Sequence, residues 1–168
     1  GRSLEEVVAE AQALGYAEAD PSADLDGFDA LYKLVILTNV AFGTHVSPHD
    51  VYCEGIRHIS AHDIEYAAEL GYVIKLVALG RRDADGELEL RVHPALLPQE
   101  HPLAKVDDAF NAVLVNGDAV GDVMFYGRGA GAGPTASAVV GDLIECARHV
   151  RGQGVAFPGR EPLQNIPI

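Results

Sequence analysis

Between Gly15 and Leu34 the chain reads GYAEADPSADLDGFDALYKL, with carboxylates at Glu18, Asp20, Asp24, Asp26 and Asp29 and one lysine, Lys33, four residues after the last of them. Like charges at such spacing repel, so the stretch is unfavourable unless a cation or the surrounding fold offsets it. Two readings fit these residue types. In the first, Glu18, Asp24 and Asp29 present carboxylates to the ammonium of a small amino acid while Lys33 reaches a hydroxyl or carbonyl oxygen. In the second, the acids merely complement a helix start: Asp24 or Asp26 caps it, and Asp29 with Lys33 is a surface pair at i, i+4 spacing.

Other constellations are weaker. Ser22, Asp24, Asp26 and Gly27 fall at positions one, three, five and six of a calcium-loop frame, but position twelve is Lys33 where a bidentate glutamate is required. The run GRGAGA from Gly127 to Ala132 satisfies a loose dinucleotide fingerprint. No second strand ending in an acid follows it, so the run reads either as a strand-to-helix turn or as a helix N-terminus whose free N–H groups meet a phosphate or an amide. His58 and His62 are spaced to share a helix face but lack the glutamate of a zinc-protease motif, and His93 and His101 read as loop residues beside prolines. No metal site is expected. There is no nucleophile elbow and no paired-cysteine motif.

The elements that must position these residues are legible from caps and periodicity. Ser3 and Glu6 make a capping box for a helix carrying Leu4, Val7, Val8, Ala11 and Leu14, stopped by Gly15. An acidic loop runs to about Asp26, and a second helix follows with Phe28, Leu31, Val35 and Ile36 as its apolar stripe, ending near Gly43. A short strand is expected around Val51 to Glu54, then a helix from a Ser60 cap to Leu70 and Gly71. YVIKLVALG reads as a largely buried strand, DADG as a turn and ELELRVHP as a half-exposed partner with Leu88, Leu90 and Val92 on one face. Two more strands flank the Asn116-Gly117 turn signal, and a last helix presents Val139, Val140, Leu143, Ile144, Ala147 and Val150. This order predicts an α+β fold, a mainly antiparallel or mixed sheet of four or more strands covered on one side by helices. It is one domain at residues 1–151 followed by a tail at 152–168.

With 168 residues, 48% of them hydrophobic and 22% charged, the chain is long enough to bury a core. A net charge of −13 argues against nucleic-acid and anionic-membrane partners. No apolar run reaches the ~18 residues of a membrane span. The start, GRSLEEVV, lacks the apolar core of a secretory signal, so Cys53 and Cys146 read as reduced thiols of a cytoplasmic protein.

The stretch from Ala11 to Lys33, with the pattern A-x3-G-Y-A-x2-D-P-x2-D-L-x-G-x-D-x3-K, resembles the signature of the homoserine dehydrogenases at every fixed position. VYCEGIRHISAHDIEYAAELGYVIKLVA and GRGAGAGPTASAVVGDL resemble later segments of the same family, so the likeness covers residues 3 to 150. It implies that Lys33 is catalytic, that Glu18, Asp24 and Asp29 bind the amino-acid substrate, and that Gly129 and Gly131 approach an NAD or NADP cofactor. It also implies a homodimer, and a reversible interconversion of L-homoserine and L-aspartate 4-semialdehyde on the path to threonine, methionine and isoleucine. Members of the family begin with a dinucleotide-binding domain that this sequence does not contain, so the expectation is a substrate-binding and dimerisation domain that is inactive alone. The alternative is a non-enzymatic module that binds a small amino acid or mediates dimerisation. On the family reading, Lys33 is a proton shuttle or a cation for developing alkoxide charge, and it converges with the acids on a cavity whose mouth is the glycine bend.

Overall fold

Ser3 opens the first helix as its spacing to Glu6 requires. In the computed structural model, which describes residues 2–152 apart from 109 and 130, the Ser3 hydroxyl accepts from the Glu6 N–H while the Glu6 carboxylate accepts from the Ser3 N–H. This box starts α1 (Leu4–Ala13), and Gly15, at φ +77°, ends it. The tail expected at 152–168 lies outside the described residues from 153 onward. The acidic segment is not all loop. Asp20 Oδ1 accepts from both the N–H (3.1 Å) and the hydroxyl (2.6 Å) of Ser22, and that turn starts a single helical turn, α2 (Ser22–Leu25), with Leu25 buried.

Helix α3 (Phe28–Phe42) starts directly after Gly27, which sits at φ +82° and offers no side-chain cap. Neither Asp24 nor Asp26 caps this helix as expected, because the Asp26 carboxylate is held by Arg57 instead. The buried face consists of Leu31, Leu34, Val35 and Thr38, whereas Phe28 and Ile36 of the expected stripe are exposed. Gly80 packs against this face, where a Cβ would lie 3.3 Å from both Leu34 Cδ1 and Thr38 Oγ1, so its missing side chain leaves room for the two. After Gly43, Asn39 binds both the N–H (2.7 Å) and the oxygen (3.1 Å) of Val46, which turns the chain back so that Val46 and Val51 enter the core.

The sheet behind α3 has the order β1 (Tyr52–Cys53), β3 (Leu88–Pro98), β2 (Tyr72–Arg82). Helix α4 (Ala61–Glu69), capped by Ser60, leads into β2. β3 is antiparallel to β2 and parallel to β1, so ELELRVHP is the central strand; it keeps the expected half-exposed alternation, with Leu90 and Val92 buried and Arg91 exposed. β2, at the outer edge, is only half buried. The hairpin continues to Pro98 and takes in His93 opposite Val77, which makes His93 a strand residue and not a loop residue. A separate two-stranded sheet pairs β4 (Phe110–Gly117) with β5 (Gly121–Arg128); Asn116 and Gly117 end β4 and residues 118–120 turn. The last helix, α5 (Ala132–Val150), buries no residue among those described, so its apolar face lies open. The architecture is α+β with five strands among the described residues. Its core joins Leu31, Leu34 and Val35 to Val46, Val51, Leu90 and Val92.

The acidic segment is docked on the stretch after β1. The Ile56 N–H donates to the Leu25 oxygen at 2.8 Å, and Gly55 passes so close that a Cβ there would lie 2.1 Å from that oxygen and 2.5 Å from Asp26 Cα. Arg57 then grips the Asp26 carboxylate through Nε and Nη2, the latter at 3.0 Å, and reaches Ser22 Oγ at 3.1 Å.

Two consequences are measurable. Gly55→Ala forces backbone against backbone and is expected to cost about 3 kcal/mol in urea unfolding; Gly141→Ala, in the open middle of α5, is expected to stabilise by about 0.5–1 kcal/mol. An unchanged midpoint for Gly55→Ala contradicts the docking. Hydrogen bonds from Arg57 hold the Asp26 carboxyl below the usual aspartate range. Because the folded value is the lower one, the pair stabilises above the unfolded value of ~3.9 and that contribution disappears as pH falls through the folded value. Thermal unfolding followed downward from about pH 5 should therefore show a shallower acid loss for Asp26→Asn than for the parent, and parallel curves would contradict the assignment.

Candidate functional site

Asp29 lies in the first turn of α3 and Lys33 one turn later, so both project from the same side of the helix. Lys33 Nζ is 2.5 Å from Asp29 Oδ2, with the two side chains 58% and 48% exposed. The pair sits on an open surface, not in the enclosed cavity that the sequence suggested. Phe28, Tyr32 and Ile36 are exposed on the same helix.

The remaining acids divide sharply. Asp20 and Asp26 are committed to Ser22 and Arg57. The carboxylates of Glu18 and Asp24 are exposed and have no hydrogen bond or ion pair among the described residues. Gln12 fixes the backbone at Glu18, donating through Nε2 to the oxygens of Glu18 (2.8 Å) and Ala19 (3.3 Å), and so ties that segment to α1. Of the four residues expected at the site, the structure brings Asp29 and Lys33 into contact and leaves Glu18 and Asp24 unengaged on the two preceding segments. Arg57 was missed by sequence reasoning, since nothing in IRH marks a partner 31 positions upstream.

At the glycine turn, Gly131 is the N-cap residue of α5 at φ +116°, with no side-chain cap. The nearest atom to a Cβ there is Pro134 Cδ at 3.8 Å, so the turn is open and glycine is required by the backbone angle. Gly129 lies close against the Asn111 side chain of β4, whose Nδ2 would be 2.4 Å from a Cβ there. Phe110 and Tyr126 stack beside this turn, with ring centroids 4.8 Å apart, and Arg128 covers Phe110. An uncapped N-terminus fits a phosphate or an amide oxygen. No βαβ unit that would hold the rest of a dinucleotide occurs among the described residues.

The other candidate groups are structural. Cys53 is half buried, its Sγ 3.4 Å from the Asp26 oxygen, and burial pushes its thiol above the usual range, the reverse of what a thiolate nucleophile needs. His58 precedes the Ser60 cap, so it shares no helix face with His62. His101 accepts from the Leu103 N–H at 3.2 Å and caps a short 3-10 turn. No three His, Cys, Asp or Glu side chains gather as a metal site among the described residues.

Comparison with known proteins completes the picture. The family model described as homoserine dehydrogenase matches residues 1–144. The chain is 60% identical over 147 residues to a homoserine dehydrogenase of Synechocystis, covering 86% of this chain and 34% of that protein. It is 49% identical to the homoserine dehydrogenase of Corynebacterium glutamicum, across the whole chain and 38% of that protein. The crystal structure of a homoserine dehydrogenase from Thiobacillus denitrificans superimposes with a TM-score of 0.87 at 46% identity, over 99% of this chain and 39% of that one. A hyperthermophilic archaeal homoserine dehydrogenase mutant in complex with NADPH gives a TM-score of 0.68 at 32% identity, over 89% of this chain and 41% of that one. The chain thus spans little more than a third of the length of these relatives. With the signature filled from Ala11 to Lys33, the family model matched over most of its length and the fold shared, the chain belongs to the homoserine dehydrogenase family.

Proposed function

We propose that this chain provides the substrate-binding and catalytic surface of an NAD(P)-dependent homoserine dehydrogenase, which interconverts L-homoserine and L-aspartate 4-semialdehyde in threonine, methionine and isoleucine biosynthesis. The observation that carries the reading is the Lys33–Asp29 contact at 2.5 Å, with the carboxylates of Glu18 and Asp24 left unengaged on the two preceding segments. Homoserine carries an ammonium at one end and a hydroxyl at the other. Carboxylates at Glu18, Asp24 and Asp29 suit the ammonium, and Lys33 Nζ suits the 4-oxygen.

NAD or NADP, when bound, takes up the hydride released from C4. Gly131, with the uncapped start of α5, would meet one polar end of the cofactor, while Gly129 keeps the turn close to Asn111. The task of Lys33 is to handle the proton of the 4-hydroxyl, or to stabilise the negative charge that grows on that oxygen. Asp29 anchors Nζ in the meantime. An exposed ion pair in water is a weak device. The reading therefore requires a further body to cover Phe28, Tyr32 and Ile36 and exclude water from the pair.

The same reading makes the protein a homodimer. β2 is an outer strand of its sheet, β4 and β5 form an isolated pair, and α5 exposes Val139, Val140, Leu143 and Ile144. Open strand edges and apolar helix faces are what a second copy covers. No helix among the described residues is long and apolar enough to cross a membrane, and we assign the protein to the cytoplasm.

In the protein at its natural length, Lys33→Met is expected to lower kcat by roughly 10²- to 10⁴-fold while the affinity for the dinucleotide stays the same. Near-normal turnover would refute either role for the lysine. The 168-residue chain alone is expected to run as a dimer in light scattering yet to give no homoserine oxidation with NAD or NADP. A monomer at high concentration would remove the dimer from the account, and sustained turnover would remove the need for a further body.

A further inference from the structure

Five carboxylates lie from Glu18 to Asp29, and two cations each hold one of them directly. Lys33 takes Asp29. Arg57 takes both oxygens of Asp26 and, through Ser22 Oγ at 3.1 Å, reaches the hydroxyl that donates to Asp20 at 2.6 Å. Among the described residues this fork is the polar side-chain link from the 54–57 stretch to the acidic segment. The backbone hooks at Gly55 and Ile56 hold the segment independently of it.

We propose that Arg57 is a positioning residue for substrate binding, which rests on the reading of Lys33 and its neighbouring acids as the site. A guanidinium with two parallel N–H groups fixes a carboxylate in orientation as well as in place. Between Asp26 and the start of α3 stands only Gly27, confined by Cys53 Sγ and Val92 Cγ1 at 3.2 and 3.3 Å from where a Cβ would lie. The orientation of Asp26 is thus passed to the first turn of α3, which bears Asp29, and back to α2, which bears Asp24. Arg57 also keeps Asp26 occupied, so that a substrate ammonium meets the unengaged acids rather than a competing one. Asp26 titrating low and Arg57 titrating high, each because of the other, agrees with the two being firmly engaged.

The test is steady-state kinetics of the protein at its natural length. Arg57→Met is expected to raise KM for homoserine roughly three- to tenfold, with kcat within about twofold and KM for the dinucleotide unchanged. Arg57→Lys, which keeps the charge but loses the fork, should fall between parent and Met variant. Asp26→Asn should raise KM similarly, and the double variant should be no worse than either single one. A parental KM in Arg57→Met overturns the proposal, as does a parallel loss of cofactor affinity, which would mean general loosening. Should Arg57→Met not fold, the Lys and Asn variants carry the same readout. Lys33→Met measured alongside separates the failures. If it stays active, the site reading fails; if it is inactive while Arg57→Met keeps its KM, the positioning role alone fails.

Discussion

Mutual repulsion among the carboxylates from Glu18 to Asp29 is the constraint around which this part of the molecule is built. A stretch so charged holds a defined shape only if cations are set against it at fixed points. Lys33 meets it from within α3, and Arg57 meets it from the far side of the chain reversal at Thr44 to Val51. At Leu25 and Asp26 the backbone is also hooked to Gly55 and Ile56, so the segment is fastened at the Arg57 contact by main chain as well as by side chain.

Close backbone approach is what makes that fastening possible. Gly55 lets the Leu25 carbonyl come to within reach of the Ile56 N–H, and Gly27 lets α3 begin without a bend away from β1 and β3. Gly80 leaves room for Leu34 and Thr38 on the buried face of α3. The rotation of α3 buries Leu31 and Val35, sends Asp29 and Lys33 to the outer side, and leaves Phe28, Tyr32 and Ile36 uncovered beside them. Site geometry and core packing are therefore joined through α3.

Much of this was legible in the residues. The capping box at Ser3, the cap at Ser60, stops at Gly15, Gly43 and Gly71, and the strict alternation of Leu88, Leu90 and Val92 depend on local chemistry, and the elements formed where those signals stand. The Asp29–Lys33 contact was readable for the same reason, since four residues on a helix fix a neighbour. Features made by distant pairings were not readable. The central place of β3 comes from a parallel contact with a two-residue strand. The buried face of α3 packs on a glycine more than forty positions later, and the grip on Asp26 comes from an arginine 31 positions on. Asp26 looked like a helix cap because sequence shows a carboxylate before a helix but not the guanidinium that claims it. The Asn111 side chain lying against Gly129 is another such distant pairing.

On the proposed reading the outward-facing Lys33, with Asp29 against it, receives a hydroxy amino acid. The most direct measurement is a crystal structure of the protein at its natural length with L-homoserine bound. The account predicts the substrate ammonium within hydrogen-bond distance of carboxylates among Glu18, Asp24 and Asp29, and the 4-oxygen on Lys33 Nζ. Homoserine bound elsewhere, with Lys33 still turned to Asp29 and open to water, would contradict it.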